Sequence, residues 1–158
     1  MKSALYLSSI LFFFIHLPVL AAEDTTSDIV KKASAYDVPT TMNRLVDIIT
    51  KKGMTIFARI NHKENANKQE MNMPDSEVLI FGNPAAGTAI MKHDLLSALD
   101  LPLRVLVYKD FDGKVWLAYH DPKGLRTHYR VEKCMQVGKV STAMDKITEH
   151  VVTKTETQ

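Results

Sequence analysis

The dipeptide Asp112-Gly113 lies between two β-prone runs, Leu103 to Tyr108 and Lys114 to His120. Asp-Gly readily takes the positive-φ backbone of a tight connection, so an antiparallel hairpin is predicted here. Two strands alone are marginal in water, and the rest of the chain must extend the pair and cover it. Alternation along the second run puts Val115, Leu117 and Tyr119 on one face and Trp116, Ala118 and His120 on the other. One face therefore feeds a core. If the other is open, Trp116 and Phe57 form an apolar patch that a homodimer interface would use.

The flanking sequence supplies the covering elements. Residues 29–37 predict a first strand. Val38-Pro39-Thr40-Thr41 suits a helix start, after which Met42, Leu45, Val46 and Ile49 recur on one face and Gly53 closes the helix. Residues 54–62 alternate as a strand, with Met54, Ile56, Ala58 and Ile60 pointing one way. A polar loop is expected over 63–76, and a short buried strand over 77–81 runs into the turn Gly82-Asn83-Pro84. A helix over 85–99 is stopped by Asp100-Leu101-Pro102, a short helical piece covers 125–130, and a last helix over 137–152 carries Val140, Met144, Ile147 and Val151. The order is β-α-β-β-α-β-β-α. It predicts an α+β fold of two layers, a mainly antiparallel sheet covered by helices.

The start of the chain predicts export. Lys2 precedes an apolar run from Ala4 to Leu20 that ends in Ala21-Ala22, the pattern of a secretory signal peptide cut after Ala21 or Ala22. The expected organisation is a signal peptide over 1–22, a polar tail over 23–28, one domain over 29–153 and a polar tail over 154–158. The product would be periplasmic or secreted, with no stable membrane insertion after cleavage. Cys134 is the single cysteine of the chain, which leaves no partner for an intrachain disulfide and none at the cleavage site for a lipid anchor. It is expected as a small buried apolar residue. With 20 basic and 18 acidic residues, the charge is too balanced to argue for a nucleic-acid partner.

Four stretches together resemble a known family. They are Phe57-Ala58-Arg59-Ile60-Asn61-His62; Leu79-Ile80-Phe81-Gly82-Asn83-Pro84 followed by Gly87-Thr88; Leu99-Asp100-Leu101-Pro102-Leu103; and Gly113-Lys114-Val115-Trp116-Leu117-Ala118-Tyr119. In order and spacing they are similar to the domain of unknown function 302 family, over 57–119 and more loosely over about 30–150. The resemblance implies a compact two-layer α/β fold and often a homodimer, and it carries over no activity. Asn61 stands where that family usually has Asp before the histidine. An amide does not ionise near neutral pH, so an Asp-His orienter and base is not available here in that form.

The chain has no Gly-rich phosphate loop, Cys-x-x-Cys, Gly-x-Ser-x-Gly or His-Glu-x-x-His, which sets aside the common signature enzymes. What remains is a set of polar groups near element ends: Asn61, His62, Gly82, Asn83, Pro84 and Asp100, with Tyr119 and His120. Pockets form at strand ends, so if these groups converge they would surround a small polar ligand. The local alternative is that Gly82 and Pro84 shape a turn, Asn83 bonds its own backbone and Asp100 ends a helix. The first functional reading is an exported, non-catalytic binding or interaction module. A second is a periplasmic protein for copper or another metal, using Met71, Met73 and His62 as thioether and imidazole ligands, although such methionines also bury against a core. A third is a small hydrolase or isomerase with His62 as base.

Overall fold

The computed structural model of the chain describes residues 28–154; the expected signal peptide lies outside them. The elements are β1 (Ile29–Ala33), α1 (Val38–Lys51), β2 (Thr55–Asn61), α2 (His62–Asn67), β3 (Ser76–Gly82) and α3 (Pro84–Met91). A 3-10 helix (Leu95–Leu99), β4 (Leu103–Lys109), β5 (Val115–His120), a second 3-10 helix (Pro122–Gly124), α4 (Leu125–His128) and α5 (Met135–Val152) follow. The five strands form one antiparallel sheet in the order β1-β5-β4-β3-β2. The fold is α+β, as expected.

The predicted hairpin is β4–β5. Its connection closes with Asp110 N donating to Lys114 O at 2.9 Å and Gly113 N donating to Asp110 O at 3.1 Å, with Gly113 at φ +84°. Because paired residues share a face, the register sorts the side chains. Leu79 pairs with Val105, and Val107 with Leu117, on the side where α1 and α5 pack. There Met42, Leu45 and Ile49 of α1 and Met144, Ile147 and Val151 of α5 complete the main core. Burying each such side chain contributes about 1.5–3 kcal/mol. A smaller cluster of Ile90, Leu125, Val131, Cys134 and Val137 lies beside it, with Cys134 buried and in no disulfide.

The opposite side of the sheet carries a row that crosses all five strands: Ile60, Val78, Leu106, Ala118 and Lys31. Next to it Trp116 pairs with Tyr108 and lies under Lys31 and Lys114, whose Nζ atoms are 3.9 and 4.3 Å from the ring centroid. Trp116 is thus on the open face and Tyr119 in the core. Phe57 does not lie in this row.

Several boundaries differ from the sequence reading, each for a local reason. The expected loop over 63–76 begins with α2, which Asn61 caps by accepting from Glu64 N at 2.9 Å. None of its residues is buried, so no apolar stripe announced it. The expected helix over 85–99 is broken: α3 ends at Met91, and Asp94 starts a separate 3-10 helix from an extended backbone. Asp94 accepts from Leu96 N at 3.0 Å and from Arg130 N at 3.1 Å, and Leu95, Leu96 and Leu99 stay exposed. Strand β1 stops at Ala33 because the chain turns toward Asp37, whose carboxylate accepts from Thr40 N and caps α1. In β2 a bulge at Phe57 shifts the register, so Ile56 pairs with Phe81 while Ala58 pairs with Ile80. One extra residue ends the strict alternation assumed for 54–60.

Candidate ligand cavity

A cavity of about 500 Å³ opens where β3 leaves the sheet. Its wall on one side is α3, entered through Gly82-Asn83-Pro84; Asn83 caps that helix by accepting from Ala86 N at 3.1 Å, and Pro84 occupies its first turn. The other wall is α5, from which Gln136, Lys139, Val140, Ala143, Met144 and Ile147 line the space at the spacing of one helix face. Phe57, pushed out by the bulge, and Leu101-Pro102-Leu103 close the ends.

Small residues keep the space open. Gly82 is buried, and a Cβ there would meet Pro102 Cβ at 3.5 Å and Phe57 Cε2 at 3.9 Å. Those are ordinary contacts, and its φ is not positive, so Gly82 is not demanded by a strained turn and leaves room beside two cavity-lining residues. Ala86, Gly87 and Ala143 have the same effect on the two helices. The lining is mostly apolar, with polar groups only at Asn83, Thr88, Gln136 and Lys139. Such a space selects by shape and burial, with a few groups to orient the ligand.

The polar groups do not all meet at one site. Asn61 pairs with Glu77, whereas Gly82 pairs with Thr55 at the opposite end of the same two strands. Six residues of strand separate them by about 20 Å. The Asn61 side chain is engaged in capping and His62 is the exposed first residue of α2. Tyr119 is 5% exposed, and burial pushes its phenol pKa up. His120 is exposed, with Nδ1 2.9 Å from Asp28 Oδ1. It shares a smaller polar depression of about 230 Å³ with Asp100, Asp28 and Arg104. Asp100 accepts from the Tyr129 hydroxyl at 2.7 Å, and that bond raises the Tyr129 pKa. Of the eight expected binding positions, Gly82, Asn83 and Pro84 line the cavity.

Met71 is exposed on the coil before β3 and Met73 is half-buried. Among the described residues no group of three or more His, Cys, Asp or Glu could hold a metal ion. The buried Glu77 carboxylate is taken by Arg59 Nε at 2.6 Å, and Arg59 also donates to Asn43 Oδ1 at 2.8 Å. Among the described residues, no buried side-chain nitrogen or oxygen lacks a hydrogen-bond partner. The sequence reading missed the cavity because its walls, 84–91 and 136–147, are distant in the chain. The available signal was the small-residue run Ala85-Ala86-Gly87.

Residues 30–151 match the family model described as Domain of unknown function DUF302. The chain belongs to that family. A solved structure of the uncharacterized conserved protein DUF302 from Bacillus stearothermophilus is similar to this DUF302 chain in fold. The TM-score is 0.63 at 14% identity, covering 78% of this chain and 94% of that one. Two curated relatives are a fluoride-specific ion channel FluC 1 of Brucella suis and a FluC 1 of Brucella abortus. Each is 37% identical over 99 residues, 63% of this chain and 39% or 37% of the relative. The DUF302 chain thus corresponds to well under half the length of those channels. Among its described residues no helix is long and apolar enough to cross a membrane.

Proposed function

We propose that this DUF302 domain is an exported, non-catalytic binding module that holds a small apolar molecule between α3 and α5. The observation that carries this reading is the cavity itself, whose volume of about 500 Å³ lies in the range of ligand sites. Export is supported by Lys2, the apolar run 4–20 and Ala21-Ala22. The neutral fluorophore N-phenyl-1-naphthylamine should bind the purified domain saturably at one site per chain. Ala143→Phe, which fills the shared wall, should abolish that binding while circular dichroism stays unchanged. Binding that survives the substitution would remove the cavity from the reading, and turnover in hydrolase or oxidoreductase panels would remove its non-catalytic part.

A second copy of the chain is the partner proposed for the open sheet face. The row Ile60, Val78, Leu106 and Ala118, each half-buried, supports this, because the core helices α1 and α5 pack on the other side of the sheet. Sedimentation should give a dimer that Leu106→Glu converts to a monomer; a wild-type monomer at micromolar concentration would reject it.

The relatives' name supports a different reading, in which the domain docks on a fluoride-specific ion channel. The 37% identity over 99 residues is its observation. Co-elution in detergent with the part of the Brucella suis relative outside the matched 99 residues is expected; separate elution would rule it out.

A further inference from the structure

The cavity does not end at its apolar walls. Met54, Lys139, Ala143 and Ile147 line it and also line an open groove running between α1 and α5. That groove carries Lys51, Lys52, Lys123, Lys139, Lys146 and His150, and among the described residues that line it there is no Asp or Glu. The acids of α5 engage β1: Asp145 and Glu149 meet Lys32, with Nζ to oxygen distances of 2.8 and 3.1 Å, and Asp145 also interacts with Lys123 at the groove's margin. Helix α5 is therefore divided lengthwise, its carboxylates toward β1 and its lysines toward the groove. Lys51, Lys52, Lys139 and Lys146 are exposed, and none of them has an ion pair to a described residue. An apolar compartment continuous with a positive one has the polarity of a molecule with a tail and an anionic head.

We infer that the ligand is a single-chain amphiphile with an anionic head, its alkyl chain in the cavity and its head among the groove lysines. This rests on the cavity being the ligand site. Burying each further methylene should tighten binding about 4-fold, equivalent to ~0.8 kcal/mol, until the cavity is filled. A carboxylate beside exposed lysines adds a salt-sensitive attraction that a neutral head lacks and a cationic head reverses.

Titration calorimetry on the purified domain tests this with octanoate, decanoate and laurate, and with 1-decanol and decyltrimethylammonium. Affinity should rise along the carboxylates, and decanoate should bind about tenfold tighter than 1-decanol. The double variant Lys52→Gln/Lys146→Gln, whose residues line the groove and not the cavity, should bring decanoate to the 1-decanol level and leave 1-decanol unchanged. Equal affinity for the three ten-carbon heads would overturn the anionic-head inference and leave the cavity reading standing. No binding of any chain, 1-decanol included, would overturn both. Cosedimentation with phosphatidylglycerol vesicles in the absence of decanoate binding would also overturn it, as a membrane-surface contact. Binding of monomeric decanoate below its micelle concentration, without vesicles, supports it.

Discussion

At Asp110 one carboxylate organises the hairpin that limits the whole fold. It accepts from Trp116 Nε1 at 2.6 Å, Lys114 N at 2.8 Å and Asp112 N at 3.1 Å. The Trp116 bond is the largest cause holding its pKa below the usual value; partial burial opposes it and the two backbone bonds add to it. A carboxyl whose folded pKa is depressed contributes stability above its unfolded pKa and loses it as pH falls through the folded value. Asp110→Asn should therefore lower stability at neutral pH and flatten the acid dependence. Trp116 is the single tryptophan of the chain, so its fluorescence in acid titrations reads this directly. Gly113 holds φ +84°, where a Cβ is disfavoured even though space is available. Gly113→Ala should cost about 1 kcal/mol, seen as a melting temperature lower by roughly 3–5 °C. The Gly113 effect was legible from Asp112-Gly113, because a positive-φ turn depends on neighbours in the chain. The role of Asp110 toward Trp116 needed the paired strands.

Among the elements, α5 is read three ways at once: apolar side chains to the core, small ones to the cavity, charges split between β1 and the groove. Partial burial works to lower the Lys32 pKa, but its hydrogen bonds to Asp145 and Glu149 outweigh that and leave it raised. The same Lys32 bond lowers the Asp145 pKa. Stability from Lys32 is present below its unfolded pKa and is lost as pH rises through the higher folded one. That from Asp145 is present above its unfolded pKa and is lost as pH falls through the lower folded one. Lys32→Met should reduce both dependences, with a loss of about 1 kcal/mol near neutrality; chemical denaturation across pH measures it. The apolar face of α5 was legible from Val140, Met144, Ile147 and Val151, because a 3.6-residue period is written locally. The break between α3 and the following 3-10 helix was not. The stretch 85–99 has helical propensity throughout, and Asp94 ends it partly through Arg130 N, 36 residues away.

For the whole molecule, a ligand that binds only the folded state must stabilise it. Decanoate at 100 times its dissociation constant should add about 2.7 kcal/mol, raising the melting temperature of the wild type and not of Ala143→Phe. The sequence by itself determined the fold class, the β4–β5 hairpin, the buried cysteine, the core face of α1 and the family. Periodicity, turn chemistry and ordered motifs are local properties that survive without coordinates. Only the tertiary structure decided which polar positions meet. It placed Asn61 and Gly82 at opposite ends of β2 and β3, used Asn61 and Asn83 as helix caps, and brought the small residues of α3 to face those of α5. A cavity is space left between two distant walls, and neither wall records it alone.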